Sequence, residues 1–270
     1  MTSPVGLAAV IELLRCPHCG GSFRLLATAI CCDSGHNFDI AKQGYVNLLS
    51  RAAPSNADTA AMLAARQRFL GTGCYEPIIG QVASQLTGRN SLIEVGAGTG
   101  DYLRAALELN PTAAGVAIDV SAAACRRLAR SHPRIGAVVA DIWAGLPVAT
   151  GGCDGLICAF APRNPTEFKR VLRPGALAVL VLPKPDHLRE LRERHQLLDV
   201  GAAKLAQANQ SFGEAGFRLV EAVDVRIELQ LTDGQAHDLI SMGPNAFHQQ
   251  AVTGAAITTQ AHVDVALFEA

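Results

Sequence analysis

The chain has 270 residues, 49% of them apolar, and sets 23 Lys or Arg against 24 Asp or Glu. That is enough apolar material for a full α/β domain and a smaller unit without disulfide staples. The near-neutral balance excludes a global positive field advertising nucleic acid or an anionic membrane, so any basic surface must be local.

In chain order, the first apolar stretch runs from Val5 to Leu14 and is interrupted by Glu12. It is too short to span a bilayer and lacks the basic start and small-residue cleavage site of a secretion signal. It predicts a short amphipathic helix in a cytoplasmic protein, where thiols stay reduced and neighbouring cysteines bind metal more readily than they pair.

Cys16 and Cys19 then form C-x2-C with Pro17 inside and Gly20-Gly21 behind, a knuckle that aims two thiolates at one point. Cys32 and His36, separated by the turn-forming Asp33-Ser34-Gly35, supply a second pair. Three thiolates and an imidazole satisfy tetrahedral zinc, and four protein ligands leave no open position for water, so the site is expected to be structural. Cys31 competes with Cys32, because adjacent strand residues point to opposite faces and only one can reach the ion. The spacing to His36 favours Cys32. A redox pair would need a helix after the C-x2-C, which Gly20-Gly21 disfavours.

Pro54-Ser55-Asn56 breaks the chain, and Asp58-Thr59 can cap a helix from about Ala60 to Leu70, ended by Gly71 and Gly73. Arg66 and Arg68 on that helix are either solvated charges or phosphate contacts.

From Ser91 the sequence reads SLIEVGAGTGDYLRAAL, a short apolar strand, a glycine-rich turn and a helix. Gly96, Gly98 and Gly100 let a ligand lie against bare backbone at the helix start. A second strand ends in Asp119, about 20 positions on, where an acid can accept both ribose hydroxyls of a nucleoside. A third, IGAVVAD, ends in Asp141-Ile142, a fourth is DGLICAFAPRNP, and a fifth, ALAVLVLP, follows the turn LRPG. Strands alternating with helices predict a mostly parallel, doubly wound sheet with ligands at the carboxyl ends of its strands. FRLVEAVDVRIELQL and AHVDVALFEA are expected to be the last strands, closing the domain.

G-x-G-x-G after an acid, with Asp141-Ile142 and LRPGA, resembles the class I (Rossmann-like) methyltransferases, which bind S-adenosylmethionine. The resemblance implies that Glu94 and the glycine loop hold the methionine end, Asp119 the ribose, and Asp141 with Ile142 the adenine. At the end of the fourth strand, Phe160 can stack on a flat ring, Ala161 and Pro162 form a backbone wall with exposed carbonyls, and Arg163 and Asn164 can bond a base edge or a phosphate.

CPHC, GHNFDIAKQGYVNLL, ADTAAMLAAR, GTGCYEP, the glycine loop, FAPRNP, RPG, DHLREL and MGPNAFHQ occur in the order found in the RlmA/TlrB family of 23S rRNA guanine-N1 methyltransferases. The resemblance covers Cys16 to about His248 and is closer to the TlrB branch, which confers tylosin resistance. It implies zinc on Cys16, Cys19, Cys32 and His36, and cofactor contacts from Tyr75, Tyr102, Leu103 and His187. It also implies a homodimer whose ribbons line an RNA cleft, and a target guanine in a 23S rRNA hairpin loop near nucleotide 748. Three departures stand out: Phe247 where a tryptophan is expected, Ala176 for a second glycine after RPG, and Glu94 for Asp at the first motif.

These readings divide the chain into a zinc ribbon (1–50), a helical connector (51–75) and a methyltransferase domain (76–270). Two rivals remain: a small-molecule methyltransferase, which leaves the ribbon without a task, and a non-catalytic ribbon that docks RNA or protein. The general base is left unnamed. Asp154 begins the fourth strand at its far end, and Glu167 lies on the next helix.

Overall fold

The computed structural model describes residues 5–247 and 256–270, with only the backbone of Pro244 and Phe247. Nine helices and eleven strands occur among these residues.

Strands β1 (Phe23–Leu25), β2 (Ala29–Cys32) and β3 (Asn37–Asp39) form a small antiparallel sheet. All other strands belong to one sheet: β4 (Val46–Asn47), β5 (Ser91–Val95), β6 (Ala114–Asp119), β7 (Ile135–Val139), β8 (Cys153–Ala159), β9 (Leu172–Pro183), β10 (Arg218–Leu231) and β11 (Ile257–Glu269). Their order is β10-β11-β9-β8-β5-β6-β7-β4.

β5, β6, β7, β8 and β9 run parallel, and β11 and β10 add antiparallel arms at one edge. The parallel strands read as apolar runs, and every residue of β7 is buried, as expected for strands covered on both faces. The chain winds outward from β5 to β6 and β7, then returns to lay β8 on the other flank of β5. That reversal opens a crevice beyond the carboxyl ends of β5 and β8, where a doubly wound sheet takes its ligand. Helices α4 (Asp101–Leu109), α5 (Ala122–Leu128) and α6 (Pro165–Val171) follow β5, β6 and β8 in turn. Apolar clusters fill both faces of the sheet.

The connector helix α2 (Ala60–Leu70) is capped by Thr59, whose hydroxyl accepts the Met62 N–H. It precedes α3 (Glu76–Ser84) and packs against α9 (Asp233–Ser241), which is inserted between the long arms β10 and β11. Helices α7 (Arg189–His195) and α8 (Lys204–Glu214) link β9 to β10.

Two features lie beyond the sequence reading. The first helix, α1 (Val5–Val10), docks on the large sheet so closely that a Cβ on Gly136 would overlap the Val10 side chain. β4, only two residues long, pairs in parallel with β7, and the Leu48 N–H donates to the Val139 carbonyl at 2.9 Å. Residues on either side of the ribbon are thus built into the large sheet, although the sequence assigns the whole of 1–50 to the ribbon. Among the described residues no helix is long and apolar enough to cross a membrane.

Candidate active site and metal centre

The ribbon is two turns that face one another. At the first, the Cys16 N–H donates to Gly21 and the Gly20 N–H to Cys16. At the second, the Cys32 N–H donates to His36 and the Gly35 N–H to Cys32, with Gly35 at φ +83°. The Sγ atoms of Cys16, Cys19 and Cys32 and the Nδ1 of His36 all lie within 4.8 Å of one another. Cys19 and Cys32 Sγ are 3.6 Å apart, and Cys32 Sγ is 3.3 Å from His36 Nδ1. Ligands about 2.0–2.3 Å from a tetrahedral zinc would sit roughly 3.3–3.8 Å from each other, so this donor set fits the ion. Cys31 Sγ instead leans on the Cys32 carbonyl at 3.5 Å, on the other side of β2. The Arg15 N–H donates to the Pro147 carbonyl, and Cys16, Phe23, Ile30 and Cys32 share one apolar cluster with Leu146 and Val148. The ribbon therefore rests on the β7–β8 connection, at the rim of the crevice.

In the crevice, Gly96 (φ +69°), Gly98 (φ +53°) and Gly100 (φ +79°) all take left-handed conformations that favour glycine. Space is equally restrictive: a Cβ on Gly96 would lie 2.5 Å from the Ala161 Cβ, and one on Gly98 would overlap Arg66 Nη1. A side chain at either position would collide with protein already there, so the loop backbone keeps this shape only with glycine. Glu94 is buried and accepts the Leu103 N–H at 3.2 Å. Burial pushes its carboxyl well above the usual carboxylate range. Asp119 accepts the Gly98 N–H and the Ser121 N–H, each at 2.8 Å, so it fixes the loop. Burial raises this carboxyl too, against the lowering effect of the two amides. Asp141 caps the turn at 142–144 by accepting the Trp143 N–H, with Ile142 buried beneath. Trp143 is 63% exposed beside this turn, a residue the sequence reading passed over.

Across the crevice an aromatic wall assembles from three distant segments. Phe160 stands at φ +54°, a strained setting for a bulky residue, and is 42% exposed. Its ring lies 6.3 Å from that of buried Tyr75 and 5.8 Å from that of His187. Tyr102 is buried at the start of α4. His187 Nδ1 accepts the His262 N–H at 3.1 Å, which assigns the ring proton to Nε2. Burial drives the His187 pKa down to about 4, so the ring is a neutral donor.

Other expected site residues turn elsewhere. The Ala161 and Pro162 carbonyls lie 3.7 and 3.5 Å from the buried Cys158 thiol, directed inward where the sequence reading had them exposed. Asn164 caps α6 by accepting the Glu167 N–H, and its amide donates to the Ile142 carbonyl at 3.1 Å, so it braces the pocket. Arg163 is half-buried, and its charge is felt by the Cys158 thiol and by Lys204. Asp154 accepts the Asn90 and Ser91 N–H groups, and Glu167 pairs with Arg170. Neither faces the crevice. The α2 arginines are also engaged within the chain: exposed Arg68 is bonded to both carboxylate oxygens of Asp238, and half-buried Arg66 to Asp58 and the Met242 carbonyl. The expected tryptophan position, 247, lies outside the described side chains.

Residues 14–51 match the RlmA N-terminal zinc-ribbon family, and residues 92–175 match a methyltransferase domain family. The chain is 42% identical over 257 residues to a Micromonospora griseorubida protein assigned to the 23S rRNA (guanine-N1)-methyltransferases, covering 87% of each. It is 38% identical over 248 residues to the 23S rRNA (guanine(748)-N(1))-methyltransferase of Streptomyces fradiae, covering 89% of this chain and 88% of that one. In fold it is similar to a chain in the complex of the Haloferax volcanii Trm112 activator with a methyltransferase, with a TM-score of 0.55 at 16% identity, covering 79% of this chain and 98% of that one.

Proposed function

Because the chain belongs to the 23S rRNA (guanine-N1)-methyltransferase family, we propose that it transfers the methyl group of S-adenosylmethionine to N1 of a guanine in 23S rRNA. The observation that carries this reading is the pairing in one chain of a ribbon with a complete zinc donor set and a glycine-lined crevice at the sheet's switch point. A small-molecule enzyme has no use for the first, and a passive docking module has none for the second.

The finer proposals follow the resemblance. The target is the hairpin-loop guanine at about 748, the working unit is a homodimer, and the modification protects its host from tylosin. Zinc is held by Cys16, Cys19, Cys32 and His36. The cofactor is held by Glu94, Gly96, Gly98, Gly100, Asp119, Asp141 and Ile142, with Tyr75, Tyr102, Leu103 and His187 around it.

When bound, S-adenosylmethionine supplies a methyl carbon made electrophilic by its positive sulfur. The protein's task is alignment, since N1, carbon and sulfur must lie in line. Phe160, exposed between Tyr75 and His187, offers the flat surface on which a splayed base can stack. His187 offers Nε2–H, a donor to a ligand oxygen. Glu94 and Asp119 are committed to backbone amides, so neither is assigned the role of base. The N1–methyl bond forms, the sulfur–methyl bond breaks, and the N1 proton passes to water. With no protein base, the reactive form is the N1 anion, so kcat is expected to rise about 10-fold per pH unit below the ionisation of guanine N1 and to level off above it.

The test is transfer of labelled methyl to a 23S rRNA fragment, mapped by primer-extension stops, on the native hairpin and on one with guanine 748 replaced by adenine. A single stop at 748 that the replacement abolishes supports the reading. Transfer elsewhere, or none despite cofactor binding, overturns it.

A further inference from the structure

The two arginines of α2 have different fates. Arg68 is 60% exposed and spends its guanidinium on Asp238. Arg66 is only 23% exposed and reaches across the crevice to the glycine loop, occupying the space that a Gly98 side chain would need. Its Nη1 meets Asp58 Oδ2 at 2.7 Å and its Nη2 donates to the Met242 carbonyl at 2.7 Å. A guanidinium carries five N–H donors, so these two bonds leave others for a ligand in the cradle.

The charges around it give the position its meaning. Glu94, Asp101 and Asp119 surround the loop, and Asp58 closes the ring from the α2 side. Arg66 is the cation whose field Glu94, Tyr102 and Asp119 all feel, and it draws each of them toward its ionised form. Such a ring suits the sulfonium and the α-ammonium of S-adenosylmethionine but repels its α-carboxylate. Without a cation at the loop, that carboxylate would enter a site of its own sign.

We propose that Arg66 is the receptor for the cofactor's α-carboxylate, holding it with its unspent N–H groups above Gly98. Its bonds to Asp58 and Met242 at the same time tie α2 and the end of α9 over the loaded pocket. This rests on the cofactor assignment made above. Arg66 acts as a binding and positioning residue, since the carboxylate takes no part in transfer.

The experiment is a titration of wild type and Arg66→Ala with two probes by calorimetry. The first is S-adenosylmethionine. The second is decarboxylated S-adenosylmethionine, which keeps the adenosine, sulfonium and amine and lacks only the carboxylate. A charge-assisted pair of this kind predicts that wild type prefers the carboxylated probe by roughly 10-fold or more. Arg66→Ala is expected to lose that preference while its affinity for the decarboxylated probe stays within about 3-fold of wild type. Arg66→Lys should keep part of the preference, and Arg66→Gln, which removes the charge but keeps a polar side chain, should lose it. The preference is read on whichever of these variants keep the wild-type circular dichroism. Equal weakening of both probes means that Arg66 only supports the fold, and unchanged binding of the carboxylated probe means that it does not touch the carboxylate. Either overturns the proposal and leaves the cofactor assignment standing. A wild type that binds neither probe overturns both.

Discussion

The ribbon and the cofactor half hold themselves together in opposite ways. The cofactor half buries both faces of an eight-stranded sheet, and its site is assembled from strand ends far apart in sequence. The ribbon has three strands of three or four residues and few buried side chains of its own, and its four ligand atoms converge within 4.8 Å. A sheet this small cannot bury enough apolar surface to order itself, so the ion must supply what the core does not. One region should respond to loss of metal and the other to changes in packing.

The largest effect should come from the metal. Stripping zinc with a chelator, or replacing Cys32 with Ala, removes an energy on the order of 10 kcal/mol from the ribbon. RNA methylation should fall to background while S-adenosylmethionine still binds, as read by zinc content, calorimetry and transfer assay together. Loss of cofactor binding at the same time would mean that the two regions are one cooperative unit, coupled through β4 and the shared apolar cluster.

Next comes Gly96→Ala. It places a methyl 2.5 Å from the Ala161 Cβ at a φ of +69°, and should weaken cofactor affinity by roughly 10- to 100-fold without altering zinc content. An affinity within 2-fold of wild type would show that the cradle is looser than drawn.

The buried imidazole gives a pH signature confined to the cofactor half. His187 is held at about 4 against an ordinary 6.5, so the unfolded chain binds its proton first as pH falls. Stability should therefore drop between pH 6.5 and 4, by on the order of 3 kcal/mol in total, and His187→Asn should flatten that slope. Denaturant midpoints across this window read it directly, and an unchanged slope in the variant would place the titrating group elsewhere.

Smaller still is Phe160→Ala. Loss of one base-stacking ring at a half-exposed position should cost about 1 kcal/mol, the low end for stacking, so KM for RNA should rise about 5-fold while cofactor affinity stays constant. The smallest effect belongs to Arg68→Ala. Its side chain is 60% exposed in the pair with Asp238, so stability should barely change, with no change in the salt dependence of RNA binding. A shallower salt slope would return Arg68 to the phosphate-gripping role.

What could be read in the sequence was local. The C-x2-C knuckle, the Cys32–His36 turn and the glycine loop each announce themselves within a few residues, because backbone geometry forces their spacing. Alternating strands and helices gave the parallel sheet, and the two final arms fell where the apolar pattern put them. What was hidden depended on long-range placement. β4 is two residues long and exists as a strand because β7 lies beside it. Asn164 looked like a base reader and is a helix cap, a role that any asparagine before a Pro-led helix can take. Arg66 and Arg68 sit two residues apart on one helix, and only the packing of α9 and the glycine loop turns the first inward and occupies the second. Phe160 was legible as an aromatic near the strand end, while its left-handed backbone, which turns the ring toward the crevice, was not.

The most direct test of the account is nucleoside mass spectrometry of an unmodified 23S rRNA fragment after incubation with the zinc-loaded protein and S-adenosylmethionine. The account predicts 1-methylguanosine approaching one per RNA, absent when the protein has been stripped of zinc. A methylated nucleoside other than 1-methylguanosine, or none from protein that binds the cofactor and carries its full zinc, would contradict it.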